Sequence, residues 1–202
     1  MTAADPAASA EADLDLVRRA QAGDTAAFGE LVERHRRSVV RAAVAALGSA
    51  AEADDVAQEA FVTAFRKLDG FRGEASFKTW LLAITWRKGL DRRQTVARWL
   101  RRLAPHRRTD EGEEIDPMER LTDGTLSQEE GVMTAELQRR VRALIATLPR
   151  KLRDPLLLAG SGDYSYDEIA HVLKIPVGTV KWRVSEARRV LKQKLAATGW
   201  GR

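Results

Sequence analysis

The 202-residue sequence contains no cysteine, which excludes disulfides, thiolate chemistry, cysteine zinc sites and direct thiol redox sensing. Its three histidines, His35, His106 and His171, lie far apart and form no HxxxH or HExxH pattern, so we expect no metal site. No apolar run approaches the ~20 residues that a membrane-spanning helix needs. The small, acidic first residues lack the basic and apolar regions of a signal peptide. We therefore expect a cytoplasmic protein without membrane insertion.

Charge and apolar residues, by contrast, are plentiful. The net charge is +5 and the pI about 9.8, a balance that favours a polyanionic partner without proving one. Hydrophobic residues make up 44% of the chain, enough for packed cores. The length suits one ordinary domain or two small ones.

The apolar residues recur with helical spacing. Asp24 or Thr25 can cap a helix whose apolar stripe includes His35, and Ser76 can cap another that runs through Ile84. Between them one stripe follows alternating steps of three and one, in the order Ala53, Val56, Ala57, Ala60, Phe61, Ala64, Phe65 and Leu68. We find no strand signal of useful length. The fold class is therefore predicted to be all-α.

The periodicity dissolves between residues 95 and 133, where a basic block is followed by an acidic one. We therefore predict a disordered N-terminus over 1–12, one helical domain over 13–94, a flexible linker over 95–133 and a second helical domain over 134–196. Pro155 falls inside an expected helix, where proline costs roughly 3 kcal/mol, so that helix is expected to start late or to kink.

The strongest local signal is SYDEIAHVLKIPVGTVKWRVSEARRVLKQKL, residues 165–195. Ser165 and Glu168 form a capping box at the start of one helix. After a short turn at Ile175 and Pro176, a second helix places Val177, Val180, Val184, Ala187 and Leu191 on one face. Its opposite face is polar and basic, as in a helix that enters the DNA major groove. The alternative is a solvated amphipathic helix.

The whole pattern resembles the extracytoplasmic-function (ECF, group IV) sigma factors of the sigma-70 family. IAHVLKIPVGTVKWRVSEARRVL is similar to their region 4, and DDVAQEAFVTAFRKLDGFRGEASFKTWLLAITWRKGLDRR, residues 54–93, to their region 2. The resemblance implies a promoter-specific initiation factor that binds core RNA polymerase at its clamp and flap, and promoter DNA. It also implies an inhibitory anti-sigma factor, which would hold the protein at the membrane if it is anchored there. It implies no catalytic centre and no cofactor.

Three sets of residues follow from the resemblance. The set expected at the polymerase clamp is Asp54, Asp55, Gln58, Glu59 and Arg66. The set expected at the −10 element is Arg72, Glu74, Ser76, Lys78, Arg87, Lys88, Arg92 and Arg93. The set expected at the −35 element is Thr179, Lys181, Trp182, Arg183, Ser185, Glu186 and Arg189.

Some residues depart from the family pattern or have two interpretations. Arg87 stands where the family usually has Asn, which puts the upstream −10 contact in doubt, and Trp182 and Glu186 are unusual on the groove-facing helix. Phe77 and Trp80 fit a −10 surface, but core packing is the better interpretation. Three rival functions are a dimeric repressor, which leaves region 2 unexplained, a sigma-like regulator that binds an anti-sigma factor, and a nuclease. A nuclease needs converging carboxylates, and Asp54 and Asp55 are adjacent and point differently on a helix.

Overall fold

The computed structural model describes residues 6–103 and 135–197, and every regular element in these two ranges is helical. This confirms the all-α prediction. The helices are α1 (Pro6–Gln21), α2 (Thr25–Leu47), α3 (Ala53–Lys67), α4 (Phe77–Leu103), α5 (Ala135–Ala146), α6 (Arg150–Gly160), α7 (Tyr166–Leu173) and α8 (Val177–Ala197), with one 3-10 turn at Leu68–Gly70. No helix in the described ranges is both long and apolar enough to cross a membrane. We call α1–α4 the first module and α5–α8 the second.

Local signals in the sequence determine where the helices of the first module begin and end. The Asp24 carboxylate accepts hydrogen bonds from the backbone N–H groups of Ala26 and Ala27, so it caps α2 as predicted. Gly48 ends that helix with a φ of 76°, in the left-handed region that glycine adopts without steric cost. At α4, the hydroxyl of Ser76 accepts from the N–H of Thr79.

The core of the first module forms where the apolar stripes of its four helices meet. Leu16, Leu31, Phe61 and Leu81, one residue from each helix, are buried in the same cluster. Of the stripe predicted on α3, only Phe65 is exposed, at 48%, although its ring packs on Phe28 with centroids 5.0 Å apart. Phe65 lies at the edge of the stripe, where α2 covers it only in part.

Polar contacts attach α1 to this core. Asp13 and His35 are buried and lie 2.7 Å apart, and Arg34 donates to the same carboxylate. The helix begins at Pro6, so the disorder predicted for residues 1–12 is wrong from residue 6 onward. The stretch that follows is rich in alanine, and proline is favoured in the first helical turn because its missing N–H would have no partner there.

The longest helix, α4, also extends past its predicted end. It continues to Leu103, so residues 95–103 are helical and do not belong to the linker predicted over 95–133. The physical reason is that charge alone does not break a helix, and no glycine or proline occurs between Gly89 and Pro105. The remainder of the predicted linker, from residue 104, lies outside the described residues.

The second module contains the predicted helix-turn-helix. The hydroxyl of Ser165 accepts from the N–H of Glu168, whose carboxylate accepts from the N–H of Ser165, which confirms the capping box. Helix α6 begins at Arg150, five residues before the buried Pro155, so of the two predicted outcomes the late start is wrong and the kink stays a prediction. The carbonyl of Pro149 accepts from two N–H groups of the first turn, which starts the helix early.

The two modules share one apolar cluster. Leu82 and Trp86 of α4 are buried together with Leu156 of α6, Ile169 of α7 and Val180 of α8. Ala42, Ala45 and Ala46 of α2 complete this cluster. The first module therefore has a main core and a small cluster between α2 and α3 of its own, and it contributes α2 and α4 to the shared core.

Candidate polymerase and promoter interfaces

The acidic face of α3 borders an open cleft of about 400 Å³ between α3 and α4. Four of the five residues expected at the polymerase clamp line this cleft, namely Asp55, Gln58, Glu59 and Arg66. Asp54 is exposed but does not line it. The structure therefore places most of the predicted clamp set on one surface.

This cleft also contains residues that we expected at the −10 element. Arg92 donates to the Glu59 carboxylate at 2.6 Å and to Glu52 at 3.2 Å, and Lys88 lies 3.5 Å from Glu59. These ion pairs connect α4 to α3. Lys88 and Arg92 thus belong to the same cluster as Glu59, although the two cations were expected at the −10 element and Glu59 at the polymerase clamp.

Two apolar side chains lie beside the acidic face. Val62 and Phe65 are 44% and 48% exposed, and Val62 lines the cleft. Neither residue was predicted to lie on the surface, because Phe65 fitted the core stripe and the position of Val62 carried no signal. An exposed apolar edge next to charged groups is a common composition for a protein-binding surface.

The turn before α4 and the start of that helix contain the other −10 candidates. Arg72 and Glu74 are exposed in the turn, whereas Ser76 is half-buried and its hydroxyl caps α4. Phe77 is almost fully buried and Trp80 partly buried, with ring centroids 5.8 Å apart. This confirms the interpretation of both aromatic residues as core residues.

Two of the expected DNA-contacting cations are covered by the second module. Lys78 donates to the backbone carbonyl of Asp163 and lies 3.5 Å from the Glu168 carboxylate. Arg93 is only 6% exposed, and its charge acts on the half-buried Asp154 of α6. Lys78 is thus engaged by the second module and Arg93 is buried, whereas Arg87 on the same helix is exposed.

The outer face of α8 is open to solvent. Val180, Val184 and Ala187 are buried as predicted, whereas Val177 and Leu191 of the same predicted face are half-buried. The other side of the helix exposes Lys181, Trp182, Ser185 and Arg189. Thr179, Arg183 and Glu186 are half-buried at its margins. Trp182 is 60% exposed. The predicted −35 set therefore shares one side of one helix.

Glu186 and Arg189 form a bidentate ion pair on this face. Nε of Arg189 donates to Glu186 Oε2 at 2.8 Å and Nη2 donates to Oε1 at 2.6 Å. The hydrogen bonds from Arg189 lower the pKa of Glu186, because they stabilise its ionised form. If Glu186 or Arg189 contacts a base, either this ion pair must break or the two side chains must contact the DNA together.

Comparisons with known proteins match both modules. The family model for Sigma-70 region 2 matches residues 31–100, and the one for Sigma-70, region 4 matches residues 138–191. RNA polymerase sigma-H factor of Pseudomonas aeruginosa is 36% identical over 92% of this chain and 94% of its own length. The ECF RNA polymerase sigma-E factor of Escherichia coli (strain K12) is 35% identical over 91% of this chain and 94% of its own. The chain belongs to the extracytoplasmic-function sigma factors. It is therefore a transcription initiation factor of RNA polymerase.

Two further comparisons support this sigma factor assignment. ECF RNA polymerase sigma factor SigW of Bacillus subtilis is 32% identical over 89% of this chain and 94% of its own. The structure of CnrH in complex with the cytosolic domain of CnrY is similar with a TM-score of 0.64 at 28% identity, and the match covers 92% of this chain and 98% of that one. We refer to the first module as region 2 and to the second as region 4.

The structure also bears on metal chemistry. In the two ranges that the structure describes, no three side chains of His, Asp or Glu are grouped so that they could hold a metal ion. The contacts between regions 2 and 4, by contrast, involve residues that sequence reasoning missed. Arg41, Asp163 and Tyr164 gave no signal, because a single polar residue on a helix or in a turn does not reveal a distant partner.

Proposed function

We propose that this sigma factor binds core RNA polymerase through the cleft between α3 and α4, and that it contacts the −10 element through region 2 and the −35 element through α8. The observation that carries the proposal is that the acidic cleft and the outer face of α8 are two exposed surfaces on separate modules. A sigma factor needs one surface for the enzyme and others for the promoter, and this chain offers each of them.

The cleft is suited to the basic and apolar groups of a protein partner. Asp55 and Gln58 are exposed, and Val62 and Phe65 add apolar area at the edge. Carboxylates on such a surface speed association with a positively charged partner and set its orientation more than they raise its affinity. Burial of Val62 and Phe65 against the partner would stabilise the complex through the hydrophobic effect, which salt does not screen as it screens charges.

Asp55→Lys is the sharpest test of the cleft. Asp55 makes no ion pair within the described chain, so its replacement leaves the contacts of Glu59 with α4 intact. Glu33→Lys on α2 is the matched control, because it makes the same charge change at another exposed position. We expect Asp55→Lys to slow association with core polymerase at low salt and Glu33→Lys to leave it unchanged. Equal association of both variants and wild type would contradict the assignment of this face.

On the −35 side, the proposal concerns base reading by α8. Arg189 can donate to guanine or to phosphate, and Glu186 can accept from the amino group of cytosine. Their ion pair supports a joint role, in which Glu186 orients the guanidinium when it does not itself meet a base. Trp182 offers an aromatic surface to thymine methyls or to a sugar.

Promoter selection from a randomised library tests this reading. Glu186→Arg is expected to change the preferred −35 sequence, since a good base contact discriminates by ~1–3 kcal/mol. Lys181→Ala is the control, because loss of a phosphate contact should weaken all sequences about equally. Identical −35 preferences for wild type and Glu186→Arg would mean that Glu186 neither reads a base nor orients a group that does.

We also propose that an anti-sigma factor restrains this protein. CnrH, which is 28% identical to this chain, was solved in complex with the cytosolic domain of another protein, CnrY, and this supports the proposal. The sigma factor RpoE, solved with the anti-sigma factor NepR from Bartonella quintana, is only 20% identical and shows a similar fold alone. The chain would be held at the membrane only if its anti-sigma factor is anchored there. Purification of the tagged chain from its own cells, followed by mass spectrometry, should recover one stoichiometric partner besides polymerase.

A further inference from the structure

The exposed turn between the 3-10 turn and α4 is held only at its two ends. We call residues 72–75 the promoter turn, because Arg72 and Glu74 within it are −10 candidates. None of these residues donates or accepts a hydrogen bond within the described ranges. Gly73 has a φ of 74°, in the left-handed region that glycine adopts without steric cost. The direction in which Arg72 and Glu74 point therefore depends on the residues just before and after the turn.

At the near end of the promoter turn, the side chain of Gln21 reaches across from α1 to the backbone. Gln21 is the last residue of α1, and its amide nitrogen donates to the carbonyl of Leu68 at 2.9 Å and to the carbonyl of Phe71 at 3.2 Å. A side-chain amide carries two N–H donors, so both bonds can form at once. The backbone N–H of Phe71 also donates to the Leu68 carbonyl, at 2.9 Å. Gln21 thus connects α1 to both ends of the 3-10 turn.

The carbonyl of Phe71 belongs to the peptide group that leads into the promoter turn. A peptide group is planar, so the direction of this oxygen also fixes the nitrogen and Cα of Arg72. The ring of Phe71 is buried, with its centroid 5.2 Å from that of Trp80. This packing fixes the place of Phe71 but not the rotation about ψ that turns its carbonyl. The hydrogen bond from Gln21 supplies that restraint.

Gln21 can act as a fixed point because α1 is attached firmly to α2. Asp13 and His35 are buried together, 2.7 Å apart, in the middle of the two helices. Near the end of α1, Arg19 donates two hydrogen bonds to the Asp24 carboxylate, which also caps α2. Gln21 lies between Arg19 and Asp24 in the sequence, so its backbone is fixed relative to α2.

The far end of the promoter turn is held by the start of α4. The hydroxyl of Ser76 accepts from the N–H of Thr79 at 3.1 Å, and the Ser76 carbonyl accepts from the N–H of Trp80 at 3.0 Å. The promoter turn therefore lies between two restraints, one from its own helix and one from α1. Ser76 is adjacent to the turn in the sequence, whereas Gln21 lies 50 positions from Phe71 and belongs to none of the expected contact sets.

We infer that Gln21 is a positioning residue for −10 recognition: its amide holds the peptide group after Phe71 and so sets how the promoter turn faces DNA. The inference rests on the proposed role of region 2 at the −10 element. Gln21 acts through the backbone and contacts no base itself. Loss of its two donors should therefore relax the −10 preference and leave the −35 preference, which α8 determines, unchanged.

Three variants isolate the donors of Gln21. Gln21→Met removes both donors but keeps a side chain of similar length and helix propensity, and the position is exposed, so the variant should fold. Gln21→Lys keeps a donor group at a similar reach and should restore the restraint. Gln193→Met is the matched control, because Gln193 is exposed on α8 and its amide makes no hydrogen bond within the described ranges. Thermal unfolding followed by circular dichroism verifies that each variant is folded.

Backbone ¹⁵N relaxation of the full chain reports on the promoter turn without any DNA. In the wild type, the order parameters of residues 72–75 should approach the ~0.85 of a rigid backbone, and in Gln21→Met they should fall toward the ~0.6 of a flexible one. Gln21→Lys and Gln193→Met should resemble the wild type. A turn that is already flexible in the wild type, or one that stays rigid in Gln21→Met, would overturn the positioning role.

Promoter selection with core polymerase gives the functional readout. Gln21→Met should lower discrimination among −10 sequences on the order of fivefold, because one good base contact discriminates by about that factor or more. The −35 preference should stay as in the wild type, and Gln21→Lys should recover the −10 preference. A relaxed −10 preference in Gln21→Met with a turn that remains rigid would mean that Gln21 contacts DNA directly, which would also overturn the inference.

Arg72→Ala and Glu74→Ala separate the inference from the proposed function on which it rests. If these variants change the −10 preference and Gln21→Met does not, the positioning role alone is wrong. If none of the three changes it, the proposed −10 role of the promoter turn fails, and the relaxation data decide separately whether Gln21 holds the turn.

Discussion

The crossing of α2 and α4 depends on Gly89, and Gly89→Ala is a quantitative test of this packing. A Cβ atom at this position would lie 2.4 Å from Cβ of Ala46, closer than real Cβ atoms approach one another. Alanine favours a helix interior over glycine by about 1 kcal/mol. Overpacking of a filled core costs about 1–3 kcal/mol, and here neither carbon can rotate away because both are fixed to helical backbones.

The clash should therefore outweigh the gain in helix propensity. We expect Gly89→Ala to lower the free energy of unfolding by up to about 2 kcal/mol, and so to lower the Tm by up to roughly 8 °C for a chain of this size. Urea and thermal unfolding followed by circular dichroism measure both quantities. Because Lys88 is the neighbouring residue, a shift of α4 should also weaken association with core polymerase.

Gly29→Ala is the matched control for this prediction. Gly29 is exposed in α2, and a Cβ atom there would meet nothing within 4 Å, so alanine should stabilise the protein by up to about 1 kcal/mol. Adding Ala46→Gly to Gly89→Ala removes the clash and should recover part of the loss. If Gly89→Ala stabilises the protein as much as Gly29→Ala does, the close helix crossing is wrong.

Two further predictions concern Asp154 and the segment between the modules. Burial raises the pKa of Asp154, so its charged form opposes folding above the ordinary carboxyl pKa of ~3.9. Asp154→Asn should therefore raise the Tm at neutral pH, and the gain should shrink as the pH falls toward the ordinary carboxyl pKa. A gain in Tm that does not change with pH would show that the charge of Asp154 is not its cause. Trypsin should first cut the free protein between residues 104 and 134, as a linker predicts, and first cleavage inside α4 or α6 would contradict that.

Much of the fold could be predicted because its signals are local. The carboxylate of Asp24 and the capping box at Ser165 act within three residues, so the sequence itself contains both partners. The stripe on α8 identified the buried and exposed sides of that helix correctly. The ends of helices were less predictable: α1 begins at Pro6 and α4 continues to Leu103, because charge and polarity mark a surface but do not stop a helix.

The candidate site was predictable in its residues but not in their partners. The sequence separated Glu59 from Lys88 and Arg92, and only the packing of α3 on α4 brings them together. In the same way, Arg41 and Asp163 are 122 positions apart and no periodicity relates them. Contacts of this kind follow from the geometry of the whole fold, so they require coordinates.

The most direct test of the central claim is promoter-dependent transcription with purified core RNA polymerase. Core enzyme, the full chain and a library of promoter fragments are combined, and the 5′ ends of the transcripts are sequenced. We expect transcripts from a defined set of start sites that share −10 and −35 elements, weakened by Asp55→Lys at low protein concentration and retained with Glu33→Lys. As a control, the same core enzyme must be activated by a known sigma factor. If it is, and no start site depends on the wild-type chain, the role of this chain as an initiation factor is contradicted.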